Sequence, residues 1–354
     1  MSAVDKDKIK AFADHLYADM AGAMTAGMAY VGTKTGLFRT MAGRGPMRLD
    51  DVVRESGLQR RYVEEWLKGM AAAGYLEYEA AEETYELPEE HAYLLASDET
   101  DHFMGGLFCF APVLLRAAPE VAEAFQKGGG VHFHEYGPEG VEAVDLINRG
   151  HYEHRLTSYW LKAMPDAAAR LEAGARALDV GCGVGRVAIA LAKAFPKAEI
   201  VGLDPDEQSI RRAREFATAE KLGDRIRFVA GTTGSPLVDG GFDLITACDC
   251  IHDLAEPLKT LREIRALLKP DGTLFIVEPR AADRLEDNRN AIGTMYYGFS
   301  LFHCMTQSLA SGGPGLGTCL GPSRLEQLVR EAGFRGFEPL KLKSQVIAFY
   351  AARP

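Results

Sequence analysis

Several features that mark whole protein classes are missing from this chain of 354 residues. No apolar run approaches the length of a membrane span, so no membrane partner is expected. The opening stretch MSAVDKDKIK has none of the apolar core that a secretory signal needs. Six cysteines are scattered without a paired framework, which suits a reducing, cytoplasmic setting. Positive charge is in deficit, with 40 Lys and Arg against 50 Asp and Glu and a formal charge of −10. Generic attraction to nucleic-acid phosphates or anionic membranes is therefore disfavoured. Internal repeats and low-complexity tracts are absent as well. What is present is an ordinary composition, 47% hydrophobic and 25% charged, in a chain long enough for two domains or one large domain with a cap.

Residues 5–42 read as helical, with Ile9, Phe12, Leu16, Met20, Met24 and Met28 recurring at three- and four-residue steps. A methionine stripe of this kind fills a core or a dimer seam more often than it lines a ligand groove. Next, a short helix ends near Ser56-Gly57, and a second carries Val63, Trp66, Leu67 and Met70 on one face. Two short strands follow, around Tyr75–Tyr78 and Tyr85–Leu87, completing a winged-helix pattern. Between Arg48 and Leu95 five basic residues face twelve acidic ones, a net of −7. The presumed recognition helix offers Arg60, Arg61 and Lys68, but Glu64 and Glu65 lie among them. A DNA-binding wing carries positive charge to neutralise phosphates. This segment therefore reads as a packing or dimerisation module, with a homodimer expected and no nucleic-acid partner.

Residues 98–172 look mainly helical, broken by QKGGGVHFHEYGPEG. From Ala175 short aliphatic runs (ALDVG, EIVGLD, IRFVAG, FDLITACD, TLFIVEP) alternate with helical stretches such as Arg186–Phe195 and Glu207–Lys221. That alternation predicts an α/β fold, a parallel sheet with helices on both faces. The last runs, Phe337–Leu342 and Gln345–Ala351, lie close enough to pair as an antiparallel hairpin. The expected division is a helical and winged-helix domain over 1–100, a helical connector and part of a substrate cap over 101–172, and a ligand-binding α/β domain over 173–354.

The stretch LDVGCGVGR, Leu178 to Arg186, places glycines at 181, 183 and 185 immediately after an aliphatic run. In open α/β sheets ligands sit beyond the carboxyl ends of the strands. A dinucleotide fingerprint wants its third glycine where Arg186 stands, so the spacing is G-x-G-x-G. The second run ends in Asp204, nineteen residues after Gly185, where an acid can accept hydrogen bonds from both hydroxyls of a ribose. Asp179 would repel a pyrophosphate crossing the turn and attract the ammonium of a methionine moiety; its plainer role is a helix cap or turn acceptor.

With these residues the chain resembles the class I S-adenosylmethionine-dependent methyltransferases over roughly 175–354, through LDVGCGVGR, VGLDPD and LLKPDGTLFIVEP. With a winged helix in front, it is similar to small-molecule O-methyltransferases. The resemblance implies a Rossmann-like sheet, S-adenosylmethionine as cofactor, Asp179, Gly181 and Gly183 at its methionine end, and Asp204 at its ribose. Where the family commonly has an acid for the adenine amino group, this chain has Thr232, whose hydroxyl is a weaker acceptor. Asp249 is counted among the cofactor-binding residues.

Methyl transfer from a sulfonium needs alignment, exclusion of water and often a base. DLITACDCIHDL supplies Asp249, His252 and Asp253 after the fourth run, and the His-Asp pair resembles the stretch whose histidine is the general base in O-methyltransferases. Imidazole titrates near neutrality and can deprotonate a phenol. The plainer role for His252 is to cap a helix starting near Glu256, and the family's Trp is Leu254 here. Cys248 and Cys250, two apart, are expected to share one strand face, and with Cys304 and Cys319 could hold a soft metal. Isolated buried cysteines are commoner, so no metal is expected. His132/His134 and His151/His154 have ligand-like spacings but no supporting pattern. An insertion over about 283–320, with Met295, Tyr296, Phe299, Phe302 and His303, reads as an acceptor lid or as core.

The reading is thus methyl transfer to a small-molecule acceptor, first at oxygen of an aromatic or polyketide-like compound, with nitrogen, carbon and sulfur acceptors open as well. Two others compete: a winged-helix regulator using the α/β domain as a ligand sensor, and an NAD-dependent dehydrogenase, which Arg186 and Asp179 disfavour.

Overall fold

The computed structural model describes residues 4–354. The chain divides into two compact units, one reaching to Pro112 and taking in Leu146–Gly150, the other comprising Val113–Asp145 and His151–Pro354.

In the first unit the long helix Lys6–Thr35 is capped by Asp5, whose carboxylate accepts from the amides of Asp7 and Lys8. Gly36, at φ +75°, ends it, so the expected single helix over 5–42 is two, with Leu37–Met41 following. Helices Leu49–Ser56 and Arg60–Ala72 pack with a small antiparallel sheet of β1 (Met47–Arg48), β2 (Glu77–Glu79) and β3 (Thr84–Glu86), ordered β1-β3-β2. Val63, Trp66, Leu67 and Met70 are buried with Phe38 and Met41, each such side chain contributing roughly 1.5–3 kcal/mol. Trp66 stands edge-on to Phe38, and its indole N–H donates to the Met28 carbonyl at 2.9 Å. Opposite that buried face, Arg60 pairs with Asp50 and Arg61 with Glu65, all exposed, and Lys68 with the half-buried Glu64. Most of the methionine stripe is not core: Ile9, Phe12, Leu16, Met20 and Met24 are each more than half exposed, and only Met28 packs against the core.

The second unit is built on a seven-stranded sheet, ordered β6-β5-β4-β7-β8-β10-β9. Its members are β4 (Arg176–Val180), β5 (Glu199–Asp204), β6 (Ile226–Ala230), β7 (Phe242–Cys248), β8 (Leu268–Pro279), β9 (Gly336–Pro339) and β10 (Ile347–Arg353). Strands β4 to β8 run parallel, while β10 lies antiparallel between β8 and β9. Every residue of β7 is buried, which accounts for its mostly apolar sequence, while its Asp243 and Thr246 are hydrogen-bonded inside. Two cores cover the sheet, one containing Trp160, Phe195, Phe275 and Phe349, the other Phe242, Leu274, Leu325 and Phe334. Connections leave β4 toward β5 on one side, while β7 flanks it on the other. Such a switch point opens a crevice at the carboxyl ends of β4 and β7.

One expectation fails at that crevice. Strand β7 ends at Cys248, and Asp249 at φ +57° turns the chain. Cys248 consequently lies in the first core and Cys250 against the second, so the two thiols do not share a face. Among the described residues no single helix is long and apolar enough to cross a membrane.

Candidate active site

The turn after β4 is shaped by backbone. Gly181, Gly183 and Gly185 all have positive φ, at +68°, +50° and +82°. A Cβ on Gly181 would sit 2.8 Å from that of Cys250, and one on Gly185 2.8 Å from the Phe228 ring, whereas one on Gly183 would meet nothing within 4 Å. Two of the glycines are therefore required by the fold and the third faces open space. Asp204, at the end of β5, binds the turn directly: Oδ2 accepts from the Gly183 amide at 2.9 Å and Oδ1 from the Asp206 amide at 2.8 Å. Its side chain retains some exposure yet is deeply surrounded, and burial pushes its pKa up to about 6 against those two amides.

Asp179 lies beneath the turn, 1% exposed. Its Oδ1 accepts from the Thr246 hydroxyl at 2.6 Å. Oδ2 has no hydrogen-bond partner of ordinary geometry, the Ala188 amide aiding the anion without completing a bond. Burial, only partly offset by Thr246, lifts Asp179 to about 7. Thr232 is exposed in the loop after β6, at the same end of the sheet as Asp204. Arg186 faces away from a phosphate role: it binds Asp145 through two hydrogen bonds of 2.7 and 3.0 Å and Glu153 at 2.9 Å, and stacks on Phe216.

The turn after β7 is shaped by side chains. His252, 2% exposed, sits in a short 3₁₀ turn, Ile251–Asp253. Its Nδ1 lies 2.5 Å from Oε2 of Glu278 on β8, and the other oxygen of Glu278 accepts the Ile251 amide at 2.9 Å. Nε2 lies 3.2 Å from Oδ1 of Asp253. Burial pulls the His252 pKa down, but the carboxylates of Glu278 and Asp253 outweigh it and hold it well above the usual value. The helix Pro257–Leu267 begins at Glu256 with no side-chain cap, so His252 does not cap it. Glu278 is the partner that sequence reasoning missed; its only signal was an acid closing the apolar run TLFIVEP.

The insertion closes over this turn. Helices Ala291–Phe299 and Met305–Ala310 are joined by a π-turn, Ser300–Cys304. The Gly317 amide donates to the His252 carbonyl at 3.0 Å, and the Ser308 hydroxyl to that of Leu254 at 3.0 Å. His303 and Cys304 are buried, His303 against the rings of Tyr136 and Phe133. Asp249 is half-buried at the mouth of β7. His132 and His134 stack on each other, away from any group of metal-ligating residues found among those described.

A methyltransferase-domain family model matches residues 171–333, and a model of an Rv2258c-like winged HTH domain matches residues 23–97. Demethylmenaquinone methyltransferase of Deinococcus radiodurans is 33% identical over 231 residues, covering 61% of this chain and 90% of that protein. The chain belongs to the class I S-adenosylmethionine-dependent methyltransferases. Of several other curated methyltransferases it matches, it spans less than half the length. In fold the enzyme is similar to an O-methyltransferase-like protein of Nostoc punctiforme, with TM-score 0.70, 17% identity and all of both chains covered. Human N-acetylserotonin methyltransferase, solved with S-adenosylmethionine, gives 0.67 at 20% identity, covering 100% of this chain and 99% of that one. The cofactor of the methyltransferase is S-adenosylmethionine. The crevice suits it: the Asp179 carboxylate, one oxygen of it unsatisfied, lies beneath the turn, and the open side of Gly183 leaves room for a ligand against backbone. No basic side chain stands in residues 178–185 to hold a pyrophosphate.

Proposed function

We propose that this methyltransferase methylates an oxygen of a small aromatic or polyketide-like acceptor, with His252 as general base. When bound, S-adenosylmethionine supplies a methyl group on a positively charged sulfur, open to in-line displacement. The residues we assign to holding it are Asp179, Gly181 and Gly183 at the methionine end, Asp204 at the ribose, Thr232 at the adenine, and Asp249 at the mouth of β7. Asp204 has a dual part in this assignment, because the oxygen that accepts the Gly183 amide also fixes the cradle.

The observation that carries the catalytic assignment is the Glu278 carboxylate on Nδ1 of a buried His252. A carboxylate there fixes the tautomer with the lone pair on Nε2 and raises the basicity of the ring. Because the same carboxylates hold the His252 pKa above its usual value, the neutral ring that takes a proton from a phenol as the oxygen attacks is a share that grows with pH. The insertion packed on this turn excludes water, which strengthens both interactions. Its aromatic and methionine residues favour a flat apolar acceptor over a nucleic acid.

The test uses acceptors found by thermal-shift screening of phenolic compounds with S-adenosylhomocysteine present. His252→Gln is expected to lower the single-turnover rate by about 10²–10⁴-fold, and less for acceptors of low pKa that ionise unaided. A stable variant that methylates every acceptor at the wild-type rate would overturn the base assignment.

We also infer a homodimer through the helix Lys6–Thr35, supported by its row of exposed Ile9, Phe12, Leu16, Met20 and Met24. Light scattering at micromolar concentration should give twice the chain mass, and Met20→Asp should shift it toward one; a wild-type monomer would contradict this. The pairing of Arg60, Arg61 and Lys68 with acids supports packing over DNA binding. The six cysteines, none of them in a disulfide, support a cytoplasmic location.

A further inference from the structure

Beside the proposed base lies a second arrangement that methyl transfer does not use. One donor atom each from His252, Asp253 and Cys304 lies within 4.8 Å of the others. The three come from distant segments, the first two from the turn after β7 and the third from the π-turn Ser300–Cys304. π-turns are costly local departures that recur at functional sites. This one places Cys304, 7% exposed, beside His252, with Cys304 Sγ 3.6 Å from Nδ1 of His303. Asp253 Oδ1 is buried and, although 3.2 Å from Nε2 of His252, completes no hydrogen bond of good geometry.

We propose that His252 Nε2, the Asp253 carboxylate and the Cys304 thiolate form a three-ligand site for zinc or another d¹⁰ divalent ion, whose occupancy switches off methyl transfer. Imidazole, carboxylate and thiolate are the three ligand types that zinc takes, and three protein ligands leave a fourth position open. Glu278 on Nδ1 supplies the outer carboxylate that orients a metal-bound histidine. Two carboxylates, the buried Glu278 and the half-buried Asp253, flank one buried imidazole, and a cation relieves that excess of negative charge. Bond lengths of about 2.0–2.3 Å put tetrahedral donors roughly 3.3–3.8 Å apart, so closure needs side-chain shifts of about 1 Å. Sources of metal other than zinc differ in the thiolate contribution: a softer ion such as cadmium gains more from Cys304.

The inhibitory half rests on His252 acting as base, since a bound ion occupies the lone pair that would take the acceptor proton. The binding half rests on geometry alone. The experiment therefore reads the two separately on the full chain after chelator treatment. Zinc is titrated in competition with a chromophoric chelator, and the methyl-transfer rate is followed over the same zinc range. One equivalent is expected to bind, with affinity lowered about 10–100-fold in Glu278→Gln and further in Cys304→Ala. The rate of the wild type should fall with the same midpoint and recover on adding chelator, while each variant's rate relative to its own zinc-free value should resist zinc. Should Cys304→Ala fail to fold, a thiolate-to-cadmium charge-transfer band in the wild type, lost in Cys304→Ser, reports the same ligand. Absence of a bound equivalent, or binding that ignores Cys304, would overturn the site. Cys304-dependent binding with an undiminished rate would overturn the switch, and with it the base assignment, while leaving the site standing.

Discussion

The turn after β4 and the turn after β7 lie at the same edge of one sheet but are made from different materials. Backbone makes the first: three glycines at positive φ, amides aimed at Asp204, and Asp179 buried beneath. Side chains drawn from three separate segments make the second: His252 and Asp253 from the turn, Glu278 from β8, and Cys304 from the insertion. A backbone cradle binds what many related ligands share, whereas a side-chain cluster can be changed one residue at a time. On the function proposed above, the first turn serves mainly the cofactor and the second mainly the acceptor.

Changing the glycines tests the first half of this contrast. Gly183→Ala puts its Cβ into open space, so although its φ of +50° strains it too, it should weaken S-adenosylhomocysteine binding by about 10–100-fold at a smaller cost in stability than a clash would add. Gly181→Ala does the reverse, because its Cβ meets Cys250 and its φ of +68° is strained for alanine. It should lower the melting temperature before it lowers affinity. Calorimetry and thermal melts on both variants decide; equal behaviour would remove the distinction between fold glycine and ligand glycine.

A smaller effect is expected from pH. Burial lifts Asp179 to about 7 and Asp204 to about 6 in the folded chain, above the ordinary carboxyl range. Acids whose folded pKa is raised hold protons better in the fold than in the unfolded chain, so their share of stability falls as pH rises from about 4 to 7. An ammonium on the ligand favours the ionised carboxylates, so cofactor affinity should rise several-fold between pH 5.5 and 8. Affinity that stays flat over that range, measured by calorimetry, would argue against a charge role for either aspartate.

The difference between the turns also sets what could be read in advance. LDVGCGVGR announces its turn because positive φ demands glycine and the contacts are local in sequence. The parallel sheet and its antiparallel closing hairpin were legible too, since apolar runs alternating with helical stretches leave few topologies, although the strand order was not read. Glu278 and Cys304 were not legible as partners of His252, because 26 residues and a π-turn separate them from it along paths that no periodicity marks. The cysteines mislead for a related reason: a period of two assumes a strand, and the strand stops at Cys248. In the first unit, the face of Val63, Trp66, Leu67 and Met70 was visible in the spacing. That Glu64 and Glu65 lie among Arg61 and Lys68 was visible as well, whereas the pairing of Arg60 with Asp50 of the preceding helix was visible only as net charge.

The smallest expected effect belongs to that charged face. Arg61→Ala removes an exposed pair and should change neither melting temperature nor methyl transfer. Neither it nor the wild type should retard genomic DNA fragments in a gel at physiological salt. A wild-type shift that Arg61→Ala abolishes would make the first unit a DNA reader and reopen the regulator reading.

The division of labour between the two turns is tested most directly by single-turnover rates at saturating S-adenosylmethionine for Asp204→Ala beside His252→Gln. Loss of charge-assisted bonds at Asp204, about 1.5–3 kcal/mol each, should appear as weakened binding that saturation overcomes, returning the rate close to that of the wild type. His252→Gln should bind the cofactor normally and stay slow by about 10²–10⁴-fold however much is added. A His252→Gln variant that turns over like the wild type, or an Asp204→Ala variant that stays equally slow at saturation, would contradict the account.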